Sequence, residues 1–224
     1  GPASLTFISG MVETGLTNIW VLLSSSSSVL STASNTMYVN GNLGRGLGSG
    51  TNSNRIFDVG DSKGYRVLKV YNALATGSDE YLVVRCVSGN ANNGASTFVG
   101  DIDKVSSVRY WKINYYSNGG GTPEVEINRL YAYYGDDDGV AAGNTDLRLA
   151  FSNDERATWN GGITGSHTTA IPAPGGAPTE MRTNNPFVPS VKLNDSTKSM
   201  YVALARLTGT TTNTLGTGTS VEQV

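Results

Sequence analysis

Residues 108–116 read VRYWKINYY, and the alternation in this stretch decides the fold class. Successive side chains of a β-strand point to opposite faces. One face therefore carries Trp111, Ile113 and Tyr115, and the other carries Tyr110, Lys112, Asn114 and Tyr116. A strand with one apolar and one polar face is typical of an antiparallel sheet that covers a core on one side and meets water on the other. The stretch predicts such a strand.

The same pattern recurs along the chain, between segments rich in Gly, Asn, Ser and Asp, which favour turns. The predicted strands cover residues 65–72, 80–87, 108–116, 124–134, 146–151, 158–163, 187–193 and 199–207. No helical period separates them. This spacing predicts an all-β, antiparallel β-sandwich of the jelly-roll kind. Between Ile127 and Leu130 the alternation changes phase, which predicts a bulge near Asn128 and Arg129.

Composition supports one all-β domain and excludes several classes of partner. The chain has 224 residues, of which 28 are glycine, and charged residues make up only 15%. Its net charge is −2, with basic residues scattered, so we expect neither nucleic acid nor an anionic membrane surface as a partner. No run approaches the roughly 20 apolar residues of a membrane span, so membrane insertion is not expected.

Four segments are predicted. Residues 1–2 (Gly-Pro) look like the scar of a removed tag, and residues 3–54 hold N-terminal strands and a glycine-rich loop at 41–54. Residues 55–210 form the sandwich core, with a long proline-containing loop from Gly161 to Pro189. Residues 211–224 form a linker. Residues 3–54 either belong to the sandwich or are the last, rung-like strand of a β-solenoid. We expect a monomeric part of a longer polypeptide.

Five stretches, in this order, resemble a known group of modules. They are MVETG (11–15), MYVNGNLGR (37–45), FDVGDSKGYRVLKVY (57–71), RYWKINYY (109–116) and DLRLAFSNDERATWNGG (146–162). The order is similar to that of β-sandwich modules in very large secreted proteins of Bacteroidetes, Chlorobi and Ignavibacteria. Asp58 and Val67 depart from that pattern, which usually has prolines there. The end of the chain, LGTGTSVEQV (215–224), resembles the spacer before the C-terminal sorting domain of type IX secretion cargo.

The resemblance implies export across the outer membrane and an extracellular or cell-surface location. It implies no particular ligand. We therefore expect a non-catalytic module of a secreted or surface protein that acts in adhesion or as a structural spacer. The alternative is a carbohydrate-binding module that presents an aromatic sheet face to a polysaccharide or another cell-surface ligand.

The candidate carbohydrate-contact residues follow from the alternation in residues 108–116. If Trp111 faces the core, then Tyr110, Asn114 and Tyr116 face outward. On the next predicted strand they would meet Tyr131 or Tyr133, with Asn128 nearby. Aromatic rings and amides together suit sugar rings, whose C–H faces are apolar. The alternative is that these tyrosines only fill half-buried sheet faces.

One acidic run invites a metal interpretation. Asp136 and Asp138 lie in YYGDDDG, with Asn144 and Asp146 shortly after, and calcium takes six to eight oxygen ligands. The run lacks the spacing of an EF-hand, and a solvated hairpin turn is the alternative. We expect no cofactor other than this candidate structural Ca²⁺.

Catalytic chemistry finds few candidates. The chain has one histidine, His167, and one cysteine, Cys86, which the alternation places on a buried strand face. Zinc and thiol chemistry are therefore not expected. A glycosidase needs only two carboxylates, and the candidates are Asp101, Asp103, Glu124 and Glu126. They occupy predicted strand edges and turns, so we predict that the chain is not an enzyme.

Overall fold

The structure is a computed structural model that describes most of the chain. The described residues are 8–22, 33–48, 53–76, 79–94, 96–118, 123–141, 146–161, 167–171, 179–183, 191–194 and 197–216. Residues 167–171 and 179–183 are described by their backbone alone.

The described residues form strands almost exclusively, which confirms the all-β prediction. In chain order the strands are β1 (Val12–Leu22), β2 (Val39–Gly46), β3 (Ser53–Phe57), β4 (Val59–Asp61), β5 (Gly64–Tyr65), β6 (Leu68–Ala75), β7 (Glu80–Ser88), β8 (Thr97–Val99), β9 (Ile102–Val105), β10 (Arg109–Ser117), β11 (Glu124–Ile127), β12 (Arg129–Tyr134), β13 (Leu147–Ser152), β14 (Thr158–Asn160), β15 (His167–Ile171), β16 (Thr179–Thr183), β17 (Val191–Asn194) and β18 (Ser199–Leu207). The helical element of the described residues is a short 3₁₀ turn at Asp136–Asp138. None of these residues forms a helix of the length and hydrophobicity that crossing a membrane requires.

The strands form two sheets. The large sheet has eleven strands, in the order β5-β4-β2-β7-β10-β18-β13-β14-β8, with β1 beside β2 and β9 beside β18. The small sheet has seven, in the order β15-β16-β12-β6-β11-β17, with β3 beside β6. Most neighbours are antiparallel, and the parallel pairs are β1 with β2, β2 with β4, and β14 with β8. Two mostly antiparallel sheets that share a core constitute a β-sandwich-like fold.

Strand β10 lies at the centre of the large sheet. It pairs with β7 along its whole length, from Arg109↔Ser88 to Ser117↔Glu80, and with β18 through Trp111↔Val202. Trp111 and Ile113 are fully buried and belong to the core between the sheets. The alternation of residues 108–116 therefore gives the predicted inner and outer faces.

The core between the sheets is apolar, and the buried side chain of Arg45 links the two sheets. Leu43 of β2, Phe57 of β3 and Leu130 of β12 are fully buried in it. Arg45 of β2 is also fully buried and donates from Nη1 to the carbonyl of Ile56 at 2.8 Å. This bond joins the large sheet to the small one and partly offsets the cost of burying the guanidinium group.

A second apolar cluster lies on the outer face of the large sheet. The connection from β7 to β10, residues 89–108, folds back over that face and carries β8 and β9. The members of this second cluster are Ala91, Ile102, Val105, Ala150, Trp159, Tyr201, Ala203 and Ala205. Residues of this connection thus pack on the outer side of β13 and β18. Tyr81, Asn114 and Tyr116 do not belong to this cluster.

The phase change between Ile127 and Leu130 is present, and it involves two strands. The run divides at Asn128 into β11 and β12. Both pieces keep one register against β6, since Glu126 pairs with Leu74 and Arg129 pairs with Tyr71. Strand β6 changes phase at the same place, because Val70 and Ala73 are both buried. The predicted bulge is therefore a paired irregularity rather than an extra residue in one strand.

Two predicted loops are wrong. Residues 41–54 do not form one glycine-rich loop, because β2 runs through them to Gly46 at the middle of the large sheet. The glycines there accommodate β1: a Cβ on Gly41 would lie 2.1 Å from Thr14 Oγ1. The segment from Gly161 to Pro189 holds β15 and β16, which form a hairpin against β12. Polar, proline-flanked strands at a sheet end carry little apolar alternation.

The predicted linker at 211–224 is also wrong where the structure describes it. Leu215 is fully buried in the main core, and Ser107 N donates to its carbonyl at 2.9 Å. Asn213 is fully buried and accepts from Ala141 N at 3.1 Å. Residues 211–216 therefore pack onto the body through two anchors, while residues 217–224 lie outside the described part. Residues 39–46 and 53–54 likewise contribute β2 and the start of β3 to the sandwich.

Candidate functional site

The candidate aromatic platform does not form as one surface. Tyr110, Asn114 and Tyr116 lie on β10 of the large sheet, whereas Tyr131 and Tyr133 lie on β12 of the small sheet. Their strands are not neighbours, and their outer faces lie on opposite sides of the sandwich. The prediction that β12 lies next to β10 is wrong. The connection between them is long enough to cross from one sheet to the other, which local alternation cannot detect.

On the small sheet the aromatic rings mostly contact each other. Tyr131 stacks on Tyr71 of β6, with 4.5 Å between ring centroids and 22° between planes. Tyr133 is buried, packs edge-on against Tyr65 and has Lys69 Nζ 4.8 Å from its ring centre. These side chains fill the sheet face, as the alternative interpretation holds. Asn128 lies half-buried at the junction of β11 and β12.

On the large sheet Tyr110 is capped by a turn. The guanidinium carbon of Arg156 lies 4.7 Å from the Tyr110 ring centre and 5.8 Å from that of Tyr201. Glu155 accepts a hydrogen bond from the Tyr201 hydroxyl. Glu155 and Arg156 both have positive φ, 56° and 69°, a conformation costing non-glycine residues about 1–2 kcal/mol each. This strained β13–β14 turn brings both side chains back over the sheet.

The rest of the outer face holds six side chains in two cross-strand columns, of which Val83 is buried and Tyr116 is exposed. We call it the open face. It consists of Tyr81, Val83 and Arg85 on β7 and of Lys112, Asn114 and Tyr116 on β10. The register pairs them directly: Arg85↔Lys112, Val83↔Asn114 and Tyr81↔Tyr116. The two tyrosine rings stack face to face, 5.1 Å apart and 6° from parallel.

Asn114 has a fixed orientation on the open face. Its Oδ1 accepts a hydrogen bond of 2.8 Å from Ser199 Oγ on β18. The side chain is half-buried, and Tyr116 beside it is 36% exposed, among the most exposed large hydrophobic residues of the described chain. Two of the predicted contact residues, Asn114 and Tyr116, therefore lie together on one accessible surface. The sequence did not single out Arg85, Lys112 or Tyr81, although the alternation of residues 80–87 places Tyr81 and Arg85 on one strand face.

Two members of the acidic run are held by arginines. Arg109, fully buried, contacts Asp138 Oδ2 at 2.9 Å and Asp61 Oδ2 at 3.1 Å, and it also pairs with Asp137. Arg66 lies 3.4 Å from Asp138 Oδ2 and bonds Asp137. We call these five residues the ion cluster. Burial opposes ionisation, but the guanidinium groups hold the pKa of Asp137 below its usual value. The cluster pins the 3₁₀ turn to the large sheet.

The calcium candidates have separate partners. Asp138 is completely buried in the ion cluster, Asp136 is exposed, and Asp146 accepts from Thr212 Oγ1 at 3.2 Å. Asn144 lies outside the described residues. Within the described part of the chain, no three acidic, histidine or cysteine side chains come together in a group that could hold a metal ion. The arginines supply the positive charge that a metal would otherwise bring to Asp137 and Asp138.

Three of the four carboxylates considered for glycoside hydrolysis form surface ion pairs. Asp101 pairs with Arg148 at 3.1 Å and Asp103 with Arg206 at 2.8 Å, both on the large sheet. Glu124 pairs with Lys192 at 2.7 Å on the small sheet. Glu126 follows on the same strand as Glu124, opposite Lys192 in the register. Asp101 and Asp103 thus lie on the large sheet, and Glu124 and Glu126 lie on the small sheet.

Asp58 is a buried carboxyl group for which the sequence predicted no role. It is 4% exposed and accepts a hydrogen bond from the Tyr65 hydroxyl. Burial raises the pKa of Asp58 to about 6, against the opposing effects of Tyr65, Arg45 and Lys69. Cys86 is a free, buried thiol, as predicted, and burial raises its pKa. Neither group faces an open cleft.

An open cleft of about 330 Å³ lies between the start of β1 and the β4–β5 turn. Its lining is Gly10, Met11, Asn35, Thr36, Tyr38, Ser62, Lys63 and Gly64. The lining includes one charged side chain and no carboxylate. This cleft brings together no acid–base pair.

The fold places the chain in the class of all-β proteins built from two mostly antiparallel sheets. Comparison with protein-family models, with curated proteins and with solved structures finds no match. Function must therefore be inferred from the site itself.

Proposed function

We propose that this chain is a non-catalytic β-sandwich module of a secreted or cell-surface protein, acting in adhesion with the sandwich as its rigid body. The observation that carries the proposal is the way charged groups are used. Buried arginines and aspartates connect elements of the fold, and three of the four carboxylates considered for catalysis pair with arginine or lysine at the surface. Groups used in this way hold a structure together and do not converge on a substrate.

Rigidity is supported by the continuity of the core. One apolar cluster extends from Leu22 of β1 to Leu215 near the end of the described chain. The ion cluster adds a tie between the 3₁₀ turn and β10. A sandwich whose first strand and last described segment share one core transmits force through packed sheets rather than through loops.

Export to the cell surface is part of the proposal and rests on the resemblance of five sequence stretches to secreted modules. A single buried cysteine is consistent with it, because a thiol shielded from solvent reacts slowly in an oxidising environment. In this proposal the core and the ion cluster provide the stability that disulfides provide in many small exported domains.

Carbohydrate binding is a second candidate, favoured by the exposure of Tyr116 beside Asn114. A flat platform for neutral sugars needs coplanar rings lying on the surface. Tyr81 and Tyr116 instead stack on each other, so each ring has one face against its partner. This geometry fits a narrower contact with a glycan than a planar aromatic row would make.

The proposed function is tested with the purified chain. We expect no release of reducing sugar from a panel of soluble polysaccharides, resistance to trypsin under native conditions, and a single unfolding event when the chain is pulled from its ends in a force spectrometer. Sustained hydrolysis that Asp101→Asn or Glu124→Gln abolishes would refute the non-catalytic assignment. Stepwise unfolding at low force would refute the rigid body.

A further inference from the structure

We propose that the open face binds the carboxylate groups of an acidic polysaccharide, a chain of uronic acid units. The inference rests on the proposed adhesive function and names the ligand class and the residues that recognise it. Arg85 and Lys112 supply the charge, Asn114 a polar contact and Tyr116 an apolar one. All four lie on the outward side of β7 and β10.

The two cations are the first part of the case. Arg85 and Lys112 are directly opposite each other across β7 and β10, and like charges in this position destabilise a sheet. Neither forms an ion pair with any described residue. The buried arginines Arg109 and Arg66, by contrast, both have carboxylate partners. An adjacent, unmatched pair of cations is suited to an external anion.

The surroundings of this cation pair strengthen the local positive charge. Lys112 Nζ lies 5.3 Å from the centre of the Tyr201 ring, and Arg156 lies over Tyr110 and Tyr201. Glu155 is the carboxylate of the neighbouring turn, and the Tyr201 hydroxyl donates to it. Three cations and one carboxylate thus border this part of a chain whose net charge is −2. The charge of the face is opposite to that of the whole molecule.

The arrangement along the strands suits a sugar ring better than a free anion. Lys112, Asn114 and Tyr116 are alternate residues of one strand, so their side chains span about 14 Å on one face. Ser199 fixes the Asn114 amide at the middle of this span. Tyr116 is 36% exposed at its end. A carboxylate at the cation pair would place the hydroxyls of the same glycan near Asn114 and a C–H face near Tyr116.

A carboxylate group can be held by this cation pair. The guanidinium of arginine presents two parallel N–H groups that match the two oxygens of a planar carboxylate. One lysine beside it can contact the same group from the neighbouring strand. The face therefore fits an acid group carried on each sugar ring, as in a polyuronate.

The test measures retention of the full chain in affinity gels containing polygalacturonate, with fully methyl-esterified polygalacturonate as the uncharged form of the same polymer. The face variant is Arg85→Gln with Lys112→Gln. The control variant is Lys63→Gln with Lys192→Gln, which removes the same charge from a turn and from the small sheet. Circular dichroism and thermal unfolding establish that both variants fold.

We expect polygalacturonate to retain the wild-type chain and the control variant equally, and the face variant to bind about tenfold more weakly. The esterified polymer should retain none of them. Tyr116→Ala should weaken binding without changing its dependence on salt, because it removes an apolar contact. The double face variant should reduce the salt dependence of binding.

Equal binding by the face and control variants would overturn the inference, and so would equal retention by the esterified polymer. Binding to dextran sulfate without binding to polygalacturonate would overturn the choice of carboxylate. An absence of retention in any gel, with hydrolysis absent and a single unfolding event preserved, would overturn this inference and leave the proposed rigid module standing. Hydrolysis of a polysaccharide would instead refute the proposed function.

Discussion

Trp111 both packs in the core and donates a hydrogen bond to the backbone of Arg66. Its ring is fully buried between the sheets, and its Nε1 donates to the carbonyl of Arg66 at 2.7 Å. Arg66 in turn belongs to the ion cluster. At the scale of one residue, apolar burial and the ordering of charged groups are therefore coupled.

Replacing Trp111 with Phe should lower the free energy of unfolding by about 2–4 kcal/mol. The substitution leaves a cavity and a buried carbonyl without its donor, and both effects are unfavourable. Urea unfolding measures the change. The control is Tyr116→Phe, which removes an exposed hydroxyl and should change stability by less than about 0.5 kcal/mol. Equal losses in the two variants would contradict the assigned role of Trp111.

The buried carboxyl group of Asp58 should make stability depend on pH. Its folded-state pKa of about 6 exceeds the ordinary value of 3.8 for an aspartate, so the folded state holds the proton more tightly. The stability that this confers is complete below pH 4 and is lost as the pH rises through 6. Relative to Asp58→Asn, which cannot ionise, the wild type should lose up to about 3 kcal/mol across that range.

Urea unfolding of both proteins at pH 4, 5, 6 and 7 gives the difference in stability directly. The Asp58→Asn variant keeps an oxygen that can accept the Tyr65 hydroxyl, so the comparison isolates the charge. A wild-type stability, relative to Asp58→Asn, that stays constant over the four pH values or that increases with rising pH would contradict the prediction.

At the scale of elements, glycines permit close approach between strands. A Cβ on Gly60 of β4 would lie 2.3 Å from the carbonyl oxygen of Gly64 and 2.5 Å from Tyr38 Cε2. The Tyr38 hydroxyl also donates to the carbonyl of Asp61 at 2.7 Å. The β4–β5 hairpin is therefore closed over the Tyr38 ring, and only a residue without a side chain fits beneath it.

Gly60→Ala should lower the free energy of unfolding by about 1–3 kcal/mol, because neither the carbonyl oxygen nor the buried ring can move without disturbing the hairpin. Ser62→Ala, at the exposed turn of the same hairpin, is the matched control and should have little effect. Thermal unfolding of the two variants makes the comparison. A Gly60→Ala variant as stable as Ser62→Ala would show that the hairpin is loosely packed.

At the scale of the whole molecule, the main core and the outer cluster share strands. Val202 and Leu204 of β18 face the main core, whereas Tyr201 and Ala203 face the outer cluster. Loss of either cluster removes support from β18. Because the two clusters share this strand, they should unfold together.

We therefore expect one cooperative transition. Far-UV circular dichroism and tryptophan fluorescence should give coincident unfolding curves in urea. Trp159 reports on the outer cluster and Trp111 on the main core. The fluorescence curve of the wild type should coincide with its dichroism curve, and the same should hold for the Trp159→Phe variant. An early fluorescence change in the wild type that Trp159→Phe lacks would show that the outer cluster unfolds separately.

Local alternation by itself determined the strands with one apolar face. The prediction for residues 108–116 agrees with β10, and those for residues 80–87 and 199–207 agree with β7 and β18. It also placed Asn114 and Tyr116 outward. These features depend on neighbours two positions away in the chain, and such neighbours are visible in any sequence.

Tertiary structure alone decided which strands are neighbours and which charges meet. Tyr131 lies on the sheet opposite Tyr116, Arg85 lies beside Lys112, and Asp138 lies against Arg109. Glycine-rich β2 became a central strand because β1 packs closely against it. Strand order and ion pairing depend on contacts between residues far apart in the chain, and a period of two carries no information about those contacts.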